Sequence, residues 1–220
     1  MGKNKLLKFQ INATRRNVIE PGKEIYNCIK GNWNSFFQTN YPITVELCCG
    51  YGEYTTGLAE KYPNRNFVGV DIKGARIWKG STIATEKQLN NAAFLRIRMY
   101  ELENFFAENE VEQIWLVFPD PRMRDRDEKH RLTNTYYLGK YFNILKSGGL
   151  FMLKTDNEAF FEYSLNAISK SGYPVENICI TENLYQSEWL PDHHGIETKY
   201  EKMFRQMGSK ICYAKFKLNK

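Results

Sequence analysis

The segment Val45-Glu46-Leu47-Cys48-Cys49-Gly50-Tyr51-Gly52-Glu53 reads as a strand running into a Gly-x-Gly turn at the mouth of a helix. Glycine at both places lets the backbone bend sharply and approach a ligand without a Cβ clash. Val68-Gly69-Val70-Asp71 ends the next strand with an acid 19 residues beyond Gly52. An acid there can accept hydrogen bonds from both hydroxyls of a ribose held over the turn. Turn and acid together point to a nucleoside-containing ligand.

Two ligand classes compete for such a site, a nicotinamide dinucleotide and S-adenosylmethionine. A dinucleotide needs a third small residue three positions after the second glycine and a helix N-terminus free to take its pyrophosphate. Here Thr55 occupies that position and Glu53 stands at the helix mouth. An acid there repels a pyrophosphate but tolerates a sulfonium and an amino group, and Glu46 adds negative charge at the same end. The methyl donor is favoured.

The next signal is Phe118-Pro119-Asp120-Pro121 at the end of the fourth strand, where open α/β sheets bind ligands. Two prolines hold Asp120 in a stiff loop. Arg122–Arg131 follows, with five Lys/Arg and three acids in ten residues, a stretch suited to positioning phosphates. His130, His193 and His194 lack a metal-like set of partners, and no metal is expected.

The elements that must position these residues alternate. Short apolar, β-rich runs at 43–47, 67–70, 93–97, 113–118 and 150–153 read as buried strands. Helical spacing fills 54–62, 74–90, 101–107, 134–146 and 157–170 between and after them. Such alternation predicts an α/β fold, a doubly wound, mostly parallel sheet with helices on both faces. Lys146-Ser147-Gly148-Gly149 reads as a helix stop before a strand. Residues 175–181 and 211–218 close the sheet as a strand pair, with an irregular 182–208 segment between them.

Composition sets the class. A chain of 220 residues with 42% hydrophobic and 25% charged residues reads as one domain, 1–220, large enough to need neither disulfide nor metal for its core. Five irregularly spaced cysteines, no long apolar run and no signal-peptide core after Met1-Gly2-Lys3-Asn4-Lys5 imply a reducing, cytoplasmic setting without a membrane anchor. The net charge is +6, but residues 1–30 and 199–220 together carry +11, which leaves −5 for the middle. A basic rim that includes Lys3, Lys5, Lys8, Arg15 and Arg16 around an acidic centre suits a polyanionic partner and carboxylate chemistry.

Taken in order, the glycine turn, Asp71, Phe-Pro-Asp-Pro with Arg131-Leu132-Thr133, Lys154-Thr155-Asp156-Asn157 and Thr198-Lys199-Tyr200-Glu201 with Phe204 are distinctive. From about residue 40 to 217 the chain resembles the bacterial single-subunit tRNA (guanine-N7-)-methyltransferases. The resemblance implies a Rossmann-like class I methyltransferase fold and methyl transfer from S-adenosylmethionine to guanine N7 in the tRNA variable loop. It assigns Glu46, Gly50, Gly52, Asp71 and Asp120 to the cofactor site, with Asp120 also catalytic. It assigns Arg124, Asp156, Thr198, Lys199, Tyr200 and Glu201 to the substrate, and Arg126, Lys129 and Arg131 to an RNA-facing loop. It further implies a tRNA partner, no obligatory protein subunit, and a monomer or homodimer. Three departures stand out: acids dilute the 122–131 loop, Arg98-Met99-Tyr100-Glu101 lacks the usual adenine-contacting acid or amide, and Cys48-Cys49 stands where one small residue is commoner. The first two leave open a non-catalytic tRNA-binding protein with the same fold. An amino-group methylase fits less well, because Pro119-Asp120-Pro121-Arg122 lacks the paired prolines and aromatic residue of that loop.

Overall fold

Strands buried on both faces have no polar side, which is why the apolar runs of this sequence are nearly continuous. The computed structural model describes residues 3–220, with the side chain of Lys3 outside the description. In it the runs become β2 (Ile43–Leu47), β3 (Asn66–Asp71), β4 (Ala92–Arg96), β5 (Val111–Val117) and β6 (Leu145–Thr155). With β1 (Val18–Ile19), β7 (Val175–Thr181) and β8 (Cys212–Leu218) they form one sheet ordered β1-β4-β3-β2-β5-β6-β8-β7. Pairing is parallel from β1 to β6, and β8 runs antiparallel between β6 and β7. The chain winds outward from β2 through β3 to β4, then returns to place β5 on the other side of β2. That reversal opens a crevice at the carboxyl ends of β2, β3 and β5.

Helices α3 (Glu53–Lys61) and α4 (Gly74–Glu86) cover one face, burying Tyr54, Leu58 and Ile77 against Phe94 and Trp115. Helices α2 (Trp33–Phe37), α5 (Thr135–Ile144) and α6 (Glu158–Ser169) cover the other, with Trp33, Phe142, Phe151 and Phe160 in its core. Asn134 and Asn157 cap α5 and α6, each accepting a backbone N–H of the first turn.

Several elements differ from the sequence expectation. The basic N-terminal extension expected at about 1–30 starts at Met1 and Gly2, which lie outside the described residues. Its described part is helix α1 (Lys3–Thr14), packed along α4, followed by β1 at the sheet edge. The polar α1 sequence has little apolar periodicity, and a two-residue strand leaves no pattern. Helical spacing at 101–107 gives a short 3-10 helix, Met99–Asn104, and the helix expected over 74–90 ends at Glu86. Leu145 already pairs with Val111, so Lys146-Ser147-Gly148-Gly149 forms an outward excursion within β6. The supposedly irregular 182–208 contains α7 (Lys199–Gln206), whose first turn Thr198 caps by accepting the N–H of Glu201.

Candidate functional site

A cleft of about 590 Å³ opens at the crevice beside β2. It is lined by the Cys49–Tyr51 turn, Glu46 from β2 and Asp71 from the end of β3, together with the Pro119–Arg122 loop, Asp156, Thr198, Tyr200 and Phe204. A second hollow of about 470 Å³ shares Cys48, Asp71, Ile72 and Asp120 with it and runs on to Met99, Tyr100, Leu132 and Tyr137. The combined space is acidic at the Glu46 end, while the second hollow mixes Ile72, Ile97, Met99 and Leu132 with Arg98, Arg122 and His130.

The glycine turn is fixed by its own geometry. Gly50 and Gly52 have φ of 55° and 70°, and a Cβ on Gly52 would lie 2.5 Å from the Phe94 ring. Asp71 secures the turn: its Oδ2 accepts the Gly50 N–H at 3.0 Å and its Oδ1 the Lys73 N–H at 2.7 Å. Burial raises the Asp71 pKa, and those two backbone bonds work against the rise. Glu46 is 5% exposed and accepts the backbone N–H of Thr55 at 2.8 Å together with the Thr55 hydroxyl. Burial pushes its pKa up to about 8; Glu53 and Asp71 add to the rise. An acid raised by burial beside two other acids is a place for a cation.

Across the cleft, Phe118 and Arg122 bracket Pro119-Asp120-Pro121 with φ of 48° and 50°. Non-glycine residues in this left-handed region store strain, a feature that clusters at functional sites. Asp120 is exposed and paired with Arg122 Nε at 3.0 Å. Asp156 is half-buried, and desolvation raises its pKa.

The remaining expected residues divide. Thr198, Tyr200 and Asp156 line the cleft, whereas Arg124, Arg126, Lys129 and Lys199 are on the surface around it. Glu201 does not reach the cleft. It is fully buried, with Lys154 Nζ 2.8 Å and His193 Nε2 3.1 Å from its Oε1, to which the Tyr185 hydroxyl also donates. Its position on the inward side of α7 turns the expected guanine contact into a support behind the wall. Arg131 is also engaged within the chain: it lies 4.4 Å from the Tyr163 ring centroid and donates to the Arg122 carbonyl, tying the 122–131 loop down. Arg15, expected on the basic rim, donates to the Trp78 carbonyl and the Thr82 hydroxyl of α4.

Sequence reasoning named Lys154 and His193 but assigned neither of them a partner or a role. A lysine within an apolar strand run is a visible signal, because a buried ammonium needs a partner, but nothing local names Glu201 as that partner. Among the described residues no group of three or more His, Cys, Asp or Glu is arranged to hold a metal ion, and no helix is long and apolar enough to cross a membrane.

A carboxylate over a glycine turn, a hollow with apolar Ile72, Met99 and Leu132 beside it and the buried Glu46 fit a nucleoside carrying a cationic tail. Comparisons with known proteins agree in class. A family described as "Putative methyltransferase" matches residues 40–214. A tRNA (guanine-N(7)-)-methyltransferase of Cytophaga hutchinsonii is 40% identical over 98% of this chain and 98% of its own. One from Bacteroides fragilis is 44% identical over 99% of this chain and 87% of its own. In fold, the chain is similar to the crystal structure of the 16S rRNA methyltransferase KamB, with a TM-score of 0.66 and 13% identity over 94% of this chain and 100% of that one.

Proposed function

The chain belongs to the tRNA (guanine-N7-)-methyltransferase family, a Rossmann-like class I methyltransferase fold, and from that premise we propose how its cleft performs the reaction. The enzyme transfers a methyl group to N7 of a guanine in tRNA. We read residues 1–220 as one domain, the target guanine as lying in the variable loop, and the setting as cytoplasmic. The relatives give no support to a non-catalytic RNA binder.

S-adenosylmethionine supplies the methyl group. Asp71 would hold the ribose hydroxyls with the lone pairs left by Gly50 and Lys73, and the hollow of Ile72, Met99 and Leu132 would take the base. Glu46 would face the cationic tail. The residues fit, since the acid that burial holds neutral becomes an ionised partner once a cation enters.

Guanine N7 presents an in-plane lone pair, so no base has to remove a proton before attack. The task of the protein is alignment, for which positioning supplies up to about 7–11 kcal/mol. Tyr200, Thr198 and Phe204 would wall the base, and Asp156 would accept hydrogen bonds from its N1–H and exocyclic amine. Adenine cannot make those bonds and would leave the acceptor unpaired. As the guanine gains positive charge, Asp120 and Asp156 stabilise it from fixed positions. Arg124, Arg126, Lys129 and Lys199 would take phosphates around the mouth.

The observation that carries this reading is that Glu46, Asp71, Asp120 and Asp156 line one cleft beside the glycine turn. Incubation with unmodified tRNA and labelled S-adenosylmethionine, followed by borohydride and aniline cleavage, should give a single cut at the methylated guanine. Label in an adenine, or none, would sink the proposal.

A further inference from the structure

The wall of the cleft that carries Thr198 and Tyr200 is built on α3, the helix that begins at the glycine turn. Glu53, Gly57 and Lys61 are spaced four apart and share one stripe of α3. Each meets the segment leading into α7. Lys61 Nζ donates to the His194 carbonyl at 2.9 Å. A Cβ on Gly57 would lie 2.9 Å from Ile196 Cγ1, so a bare glycine is what lets that segment lie against the helix. The Glu53 carboxylate accepts the backbone N–H of Lys199 at 3.1 Å.

Lys199 is the first residue of α7, where backbone N–H groups have no partner within the helix. Thr198 satisfies one of these donors, that of Glu201, and Glu53 satisfies another from 146 residues away in sequence. Glu53 directly follows Gly52, so the group that fixes the start of α7 sits one residue beyond the cofactor turn. We propose that Glu53 is a positioning residue that sets the Thr198–Tyr200 wall in register with the cofactor turn, an assignment resting on the functional reading above. A carboxylate here could instead act as a countercharge for the cationic cofactor beside Glu46. The two roles separate by chemistry, because accepting a backbone N–H needs an oxygen, whereas balancing a cation needs a charge.

Glu53→Gln keeps the oxygen and loses the charge, Glu53→Ala loses both, and Gly57→Ala displaces Ile196 with Glu53 intact. The readouts are kcat and KM for an unmodified tRNA, the Kd of S-adenosylhomocysteine by calorimetry, and thermal melting to establish folding. Glu53→Ala and Gly57→Ala should each lower kcat/KM for tRNA by about five- to tenfold, with S-adenosylhomocysteine affinity within about twofold of wild type. Glu53→Gln should restore near-normal kcat/KM. Equal impairment of the Gln and Ala variants with weakened S-adenosylhomocysteine binding would make Glu53 a cofactor countercharge, and three indifferent variants would make the stripe mere packing; either overturns the assignment alone. A folded wild type that binds S-adenosylhomocysteine but methylates no tRNA would overturn the functional reading and this assignment with it.

Discussion

Thr55 donates both its backbone N–H and its hydroxyl to one oxygen of Glu46, Oε2, at the acidic end of the cleft. Thr55 stands three positions after Gly52, where a dinucleotide site needs a small residue for close helix packing. Here that position serves the neighbouring acid. The Thr55 N–H in the first turn of the helix is thereby taken by a carboxyl group of the chain itself and is not free to bind a pyrophosphate.

The raised pKa of Glu46 makes cofactor binding pH-dependent. In the free protein burial keeps this carboxyl protonated up to about pH 8, and a bound cation favours the ionised form. S-adenosylmethionine affinity should therefore rise with pH, by up to about tenfold per unit, and level off above pH 8. Glu46→Gln should flatten this profile and lower the plateau. Calorimetric titrations between about pH 6 and about pH 9 check it, and an unchanged slope in the Gln variant would place the titrating group elsewhere.

The sheet was legible because strands buried on both faces leave continuous apolar runs, as in Gln113-Ile114-Trp115-Leu116-Val117. The glycine turn, and Asp71 at the end of the next strand, were legible because turn chemistry is local. What sequence could not show was long-range. Glu53 bonds to the backbone of Lys199, which almost any residue type could supply, and Glu201 pairs with a lysine 47 residues earlier in the chain. Arg15 and Arg131 look like free cations in sequence, yet each is occupied by carbonyls or a ring brought in by folding. Helix α7 itself was hidden because its buried stripe includes a carboxylate rather than an apolar residue.

Lys154 and Glu201 form an ion pair behind the Thr198–Tyr200 wall, both side chains being 0% exposed. Burial opposes ionisation of Glu201, but hydrogen bonds and charge from His193 and Lys154 bring its pKa below the usual value. Lys154→Met leaves that carboxylate short of charge and should cost about 3–5 kcal/mol, whereas Lys154→Met with Glu201→Gln should recover part of the loss. Because the folded pKa of Glu201 is lowered, the pair's contribution is present above the unfolded value near 4.5 and is lost as pH falls through the folded one. Urea denaturation at neutral and acid pH measures both effects. Equal stability of the single variant and wild type would show the pair to be dispensable.

Binding to tRNA should separate free cations from engaged ones. Replacing Arg124, Arg126 and Lys129 with serine should reduce the slope of log K against log salt by about 0.7–0.9 for each phosphate no longer neutralised. Arg15→Ala should leave the slope alone and lower the melting temperature, since Arg15 joins the N-terminal segment to α4 through bonds of 3.0 and 2.7 Å. Filter binding across a salt series decides. A shallower slope in Arg15→Ala, or an unaltered one in the triple variant, would reverse these assignments.

Asp120 separates catalysis from binding. Its side chain is 67% exposed and its ion pair with Arg122 lies at the surface, so losing the pair costs little stability. Pro119 and Pro121 restrict the loop backbone, and the Arg122 N–H donates to Asp120 Oδ1 at 3.3 Å, a bond that an asparagine oxygen can also accept. Asp120→Asn thus keeps the shape of the loop while removing one negative charge from the cleft. If that charge stabilises the guanine as it becomes cationic, single-turnover methylation with both substrates saturating should slow by about 10²–10³-fold. Affinities for tRNA and S-adenosylmethionine, measured separately, should shift by much less. Asp120→Ala is the poorer probe, because it frees the loop and removes the acceptor for Arg122 at the same time. A near-normal rate in Asp120→Asn would reduce Asp120 to a turn-forming residue and leave Asp156, half-buried in the same cleft, as the carboxylate that follows the charge.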